Sequence, residues 1–209
     1  DLPDGFVSKA TELMKSFPAK VDDYETLLTK NPIWMQRTKE VGILSAEDAV
    51  NLGASGPMIR GSNVPWDIRR SNPYSSYDDF NFIVPIGENG DCYDRYQVRM
   101  EEMRQSAEIV LQALERVPKG DLNVYDPKVM LPPKEEVYTD IAALIHHFKI
   151  VSGGFNPPVG EVYSSVEAPK GELGFYIVSD GTNKPYRLRI RPPSFVNLES
   201  LSTMVEGRL

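Results

Sequence analysis

At 209 residues, with 41% hydrophobic and 25% charged side chains, the chain can bury one sizeable core or two small ones. A formal net charge of −7 excludes a phosphate-binding surface built on clustered Lys and Arg, and no apolar run approaches the roughly 20 residues a bilayer span requires. The single cysteine, Cys92, excludes an internal disulfide framework and a multi-cysteine metal site, and suits a reducing compartment.

In chain order, residues 1–53 read as short helices. Phe6, Ala10, Leu13 and Phe17 fall at three- and four-residue spacing, as do Val21, Tyr24 and Leu28, and Pro18 is expected to separate the two pieces. Ser45-Ala-Glu-Asp48 resembles a capping box, and Gly53 closes the helix it opens. Residues 54–90 lose helical periodicity and read as an irregular, Arg-rich loop carrying one strand, Phe80–Val84, with alternating side chains.

Residues 91–154 predict two long core helices. The first runs from about Asp91 to Val117 with an apolar stripe of Tyr96, Met100, Met103, Ala107, Val110 and Leu114. Arg95, Arg99, Glu102, Arg104 and Glu108 sit largely off that stripe and read as solvated, paired charges. The second starts at Pro133 after a Pro-rich linker, buries Val137, Ile141, Leu144, Ile145 and Phe148, and stops at Gly153-Gly154. Residues 155–209 read as an antiparallel meander and a final helix, with strands at 161–166, 173–178 and 185–191 and a turn at Asp180-Gly181. The fold class is therefore α+β and mostly helical, with long amphipathic helices, a small three-stranded antiparallel sheet and one domain in all. Lacking an opening Met, a signal-peptide pattern and an evident closing element, the chain is expected to be a piece of a longer polypeptide.

Local nucleotide motifs are missing: neither Gly-x-Gly-x-x-Gly nor Gly-x-x-x-x-Gly-Lys-Ser/Thr occurs. Cys92 opens a helix, where the dipole favours a thiolate, but a packed thiol needs no partnered base. His146 and His147 are adjacent, so on a helix they diverge by about 100° and cannot share a metal.

Two stretches carry unusual charge. Arg60 to Tyr74 holds Arg60, Asp67, Arg69, Arg70, Trp66 and Tyr74 without regular periodicity, which suggests a hub in which Asp67 pairs with Arg60 or Arg69. Glu167-Ala-Pro-Lys-Gly171 precedes an apolar strand. Its proline fixes φ and its glycine permits a sharp turn, so Glu167 and Lys170 are held near each other. Pairing of Lys170 with Glu167 is the favoured reading.

The stretches SGPMIRGSNVPWDIRRSNPY, GDCYDRYQVRMEEMRQS, IHHFK and EAPKGELGFYIVSDGTNKPYRLRIRPPSFVNL resemble the D subunit of NADH:quinone oxidoreductases (respiratory complex I). That family is similar to the large subunit of nickel–iron hydrogenases. The resemblance covers essentially the whole chain and implies a hydrogenase large-subunit-like fold. It implies a peripheral-arm subunit of a proton-translocating enzyme, on the cytoplasmic face of a bacterial inner membrane or the matrix face of the mitochondrial one. The expected partners are other complex I subunits, above all the one carrying the terminal iron–sulfur cluster, and quinone, with no nucleic acid and no membrane span. FMN, iron–sulfur clusters and NADH are expected on neighbouring subunits, and no cofactor or metal on this chain.

The resemblance also implies that the family's quinone-headgroup His and Tyr, and the Asp partnering that His, precede Asp1, so no catalytic residue is expected here. In hydrogenases the similar Glu-Ala-Pro-Arg-Gly stretch sets an arginine over the metal centre. Lys170 stands at that position and keeps a point charge without the fork geometry. Arg60, Asp67, Arg69, Glu167 and Lys170 are thus the candidates for a quinone-cavity wall or a charge network. A nickel–iron hydrogenase subunit and a purely structural assembly module are the competing readings.

Overall fold

The computed structural model describes residues 2–120 and 124–207, so the linker expected after Gly120 lies partly outside it. These residues form two compact units, one comprising 118–164 and 175–190, the other 2–117, 165–174 and 191–207.

In the larger unit, α1 (Phe6–Leu28) runs unbroken through Pro18. This corrects the expected pair of short helices. Proline in a helix interior costs about 3 kcal/mol, because it removes a donor and crowds the preceding turn. Packing offsets that cost. α1 lies against α6 (Cys92–Glu115), burying Val21 completely. Arg104 of α6 clamps Asp22 at 2.7 Å and Glu25 at 2.8 Å, and the Tyr93 hydroxyl donates to the Thr29 carbonyl at 3.0 Å. Arg104→Ala is expected to lower stability by about 1 kcal/mol, since its partners are largely solvated. A thermal melt of the assembled protein checks this, and an unchanged midpoint refutes the clamp.

Between α1 and α6 the chain forms α2 (Pro32–Thr38), α3 (Ala46–Asn51), α4 (Pro57–Gly61) and α5 (Ile68–Ser71). The Asn31 side chain caps α2, Ser45 caps α3 through the Asp48 N–H at 3.0 Å, and Asp67 caps α5. The 54–90 stretch therefore contains two short α-helices and a 3-10 turn at Tyr77–Asp79 that its Gly, Pro and Asn content concealed. Leu44, Ala49, Ala54 and Ile59 make the buried cluster, packed by Leu52, Met58, Val64 and Met204.

Phe80–Val84 is not a strand. Its side chains alternate as expected, with Phe82 buried and Asn81 and Ile83 exposed, but among the described residues no strand pairs with it, and α6 side chains hold its backbone at 81 and 83 while Arg70 of α5 donates to the Phe82 carbonyl. The Asn81 N–H donates to Gln112 Oε1 at 2.8 Å, Gln112 Nε2 donates to the Asn81 carbonyl at 2.7 Å, and the Ile83 N–H donates to Gln105 Oε1 at 3.0 Å.

α6 also departs from the single-stripe reading. Tyr93, Asp94, Arg95, Val98, Met100, Ala107 and Ile109 are buried, more than one face of the helix. Buried Arg95 is satisfied by the Gly90 and Gly42 carbonyls, both at 2.7 Å.

In the smaller unit, the expected second long helix is two: α7 (Lys134–Thr139) and α8 (Ile141–Gly153). Asp140 breaks them. It adopts an extended conformation (φ −121°, ψ 124°) so that its carboxylate can accept from the Ala142 N–H at 3.0 Å. The face expected to be buried is open: Ile141 is 73% and Phe148 68% exposed, while Ala143 is buried. His146 Nε2 bonds the Pro127 carbonyl.

The sheet has order β1-β2-β3, with β1 (Gly160–Ala168), β2 (Gly171–Ser179) and β3 (Arg187–Arg191). It is antiparallel, giving the α+β architecture expected from the change of period. The turn before β3 is stabilised by Asp180, whose Oδ1 accepts from the Thr182 N–H at 3.0 Å. The chain then forms α9 (Pro193–Asn197), a short 3-10 turn and α10 (Leu201–Val205) in place of one final helix.

Candidate functional site: a buried charge hub beneath the β1–β2 turn

Arg60, near the C-terminal end of α4, is 2% exposed, and its guanidinium is the centre of the hub. Nε donates to Glu102 Oε1 at 2.8 Å, and Nη2 lies 2.6 Å from the same oxygen. Nη1 donates to Glu167 Oε1 at 2.9 Å and to the Trp66 carbonyl at 3.0 Å, and stands 3.6 Å from Asp67 Oδ2. Planarity allows this: only a fork can face α6, β1 and the α5 cap at once.

Asp67 is committed to Arg69. The Arg69 N–H (2.9 Å) and Nε (3.0 Å) donate to Oδ1, and Nη2 donates to Oδ2 at 2.6 Å. The sequence produces this locally, because an N-cap aspartate two residues before an arginine reaches both the backbone and the fork. Burial opposes the Arg69 charge, but the hydrogen bonds and charge of Asp67 prevail and its pKa moves upward. Arg69 and Arg70 lie over Phe82 at 4.9 Å and 3.9 Å, so the buried ring is roofed by two guanidiniums.

Glu167, on β1, has both carboxylate oxygens occupied: Oε1 by Arg60, and Oε2 by the Ile68 N–H at 3.3 Å. Its own N–H donates to the Tyr74 hydroxyl at 2.8 Å. The expected Glu167–Lys170 pair is not formed. Lys170 is exposed at the turn and makes no ion pair among the described residues, because a buried arginine lies closer to Glu167 than a turn lysine pointing into solvent. The structure thus brings Arg60, Asp67, Arg69 and Glu167 together and leaves Lys170 outside.

Sequence reasoning missed Glu102. Off the apolar stripe it reads, like Arg95, as a solvated charge; the structure buries Arg95, seven positions before it on the same face of α6, so no local signal in the sequence marked Glu102.

The turn carrying Lys170 is fixed from below. Glycine faces glycine there: a Cβ on Gly171 would lie 2.4 Å from Ser55 Oγ, and one on Gly56 would lie 2.5 Å from Gly171 Cα. Ser55 Oγ accepts from the Glu172 N–H at 3.1 Å, and Asn197 Nδ2 donates to the Lys170 carbonyl at 3.1 Å. Arg191 donates to the Glu172 carbonyl at 2.9 Å and the Gly53 carbonyl at 2.8 Å.

Elsewhere, a cleft of about 520 Å³ is lined by Lys39, Glu40, Asp91, Tyr93 and Asp94. Asp91 and Asp94 are consumed in accepting backbone N–H groups from Glu40, Asp94, Glu88 and Asn89. Among the described residues no group of three His, Cys, Asp or Glu could hold a metal ion, and no helix is long and apolar enough to cross a membrane. Half-buried Cys92 receives a contact from Arg95 Nη2 at 3.2 Å.

Fold and site together describe a helical scaffold in which Arg60, Asp67, Arg69, Glu102 and Glu167 pair with one another, with exposed Lys170 held on the turn above them. The family model described as the respiratory-chain NADH dehydrogenase 49 kDa subunit matches residues 1–209, and the chain belongs to that family. It is 56% identical over all 209 residues to the NADH-quinone oxidoreductase D subunit of Geotalea uraniireducens, and likewise 56% identical to that of Geobacter sulfurreducens. The corresponding D subunit of Ehrlichia chaffeensis is 50% identical over the same length. The chain spans about half the length of these relatives, 54%, 54% and 53% respectively.

Proposed function

We propose that the chain is part of a peripheral-arm subunit of a proton-translocating NADH:quinone oxidoreductase, where it packs on the subunit carrying the terminal iron–sulfur cluster and helps form the quinone-reduction site. Electrons from NADH reach quinone through FMN and iron–sulfur clusters held by neighbouring subunits. This chain supplies a wall of fixed charge and binds none of those groups itself. In this reading it sits peripherally, on the cytoplasmic face of a bacterial inner membrane or the matrix face of the mitochondrial one.

The observation that carries the reading is Lys170. Its carboxylate neighbour is taken by Arg60, its turn is pinned by Ser55, Asn197 and the Gly56–Gly171 contact, and its ammonium is free to favour an anionic or reduced quinone. A lysine at a position where hydrogenases carry an arginine also argues against the nickel–iron reading.

Lys170→Met keeps most of the bulk and removes the charge. In the assembled complex it is expected to slow quinone reduction several-fold while subunit abundance is kept. Unchanged turnover per assembled complex would favour the assembly-module reading instead, which the closure of the hub also supports.

A further inference from the structure

The hub contains three carboxylates, on Asp67, Glu102 and Glu167, against the two guanidiniums of Arg60 and Arg69. Their oxygens are not equally engaged. Both oxygens of Asp67 and both of Glu167 accept hydrogen bonds from N–H donors. On Glu102 both guanidinium contacts land on Oε1, and Oε2 accepts no hydrogen bond from the described residues. Its side chain is 16% exposed against 0% for Asp67 and 3% for Glu167, so water reaches it alone of the three.

We propose that Glu102 is the proton-exchanging carboxylate of the hub, taking a proton from solvent on Oε2 while Oε1 keeps its contacts with Arg60. The step forms one O–H bond, leaves every hydrogen bond of the hub in place and brings the five-group cluster from net −1 to neutral. A proton on Glu167 or Asp67 would displace a donor already in position.

The surroundings set the direction. Burial raises the Glu102 pKa, Glu167 on β1 adds to the rise, and Arg60 on α4 and Arg69 on α5 oppose it, with the balance upward. Arg99, one turn earlier on α6, is exposed and forms no ion pair with Glu102. A carboxyl group whose folded pKa is raised contributes stability that is complete at pH values below the unfolded pKa and is lost as pH rises through the folded one.

The test is the pH dependence of thermal stability of the assembled complex, which does not depend on quinone turnover and so stands or falls apart from the functional reading. Glu102→Gln reproduces the protonated shape. It is expected to match the wild type at acid pH and to escape the loss of stability the wild type suffers as pH climbs out of the ordinary glutamate range. Parallel curves at all pH values overturn the proposal. Arg99→Gln removes a nearby exposed cation without touching the hub, and is expected to move the wild-type transition up by roughly half a pH unit. If Glu102→Gln does not assemble, this shift decides: a transition that stays in place overturns the proposal, and an upward move upholds it.

Discussion

Arg60→Met is expected to remove the subunit from the assembled complex. Methionine approximates the length of the arginine stem, but its loss of charge strands Glu102 and Glu167 and takes a second cation from Asp67, with Glu167 and Asp67 almost wholly buried. Breaking a buried pair by removing one partner costs roughly 3–5 kcal/mol, and here one partner serves three. Arg60→Lys separates charge from geometry. An ammonium cannot face Glu102, Glu167 and the Trp66 carbonyl at once, so intermediate loss is expected. Subunit abundance in purified membranes reads both variants. Normal abundance of Arg60→Met would mean that the hub does not hold the fold together.

Gly171→Ala is expected to cost several kcal/mol by a different route. The residue has φ +126°, a conformation that a side chain disfavours, and the new Cβ would meet Ser55 Oγ at 2.4 Å and the Ser55 carbonyl carbon at 2.7 Å. A backbone atom cannot swing aside as a side chain can, so the β1–β2 turn must lift away from the loop before α4. The strain therefore falls on the support of Lys170. The thermal midpoint of the complex should fall, and, on the role proposed for Lys170, quinone turnover per remaining complex should fall with it. Wild-type behaviour in both would show that the turn can relocate without consequence.

How much of this was legible in the sequence depended on how far apart the partners lie. Asp67 and Arg69 are two residues apart and announced themselves through a charged, aperiodic loop. Arg60 belonged to the same loop, but Glu167 lies 107 residues away, and nothing local ties it to Arg60. The nearest cation along the chain, Lys170, is accordingly the mate that local reasoning selects.

Glu102 was hidden for another reason. A stripe argument assumes one buried face, and α6 is buried on more than one, so a charged residue off the stripe need not be in water. Pro18 misled in the same way, because a local penalty was read without the tertiary packing that offsets it. The meander at the end was readable throughout, since its period of two and its turn residues depend only on near neighbours.

Phe80–Val84 has the alternation of a strand, yet its register is written in two glutamine side chains of a helix. Gln105 and Gln112 stand seven residues apart on α6, about 10.5 Å along its axis, and grip positions two residues apart, about 7 Å along an extended chain. The two long amide arms absorb the mismatch by leaning toward each other. Lengths in these two stretches are consequently not independent. A residue gained or lost between 105 and 112 turns one amide away by about 100°, and one gained between 81 and 83 turns a backbone N–H to the opposite edge. Over evolutionary time neither stretch should accept a single-residue insertion or deletion, because no change in one restores the facing lost in the other, which makes this ribbon and its helix a single unit of inheritance although they stand apart in the chain.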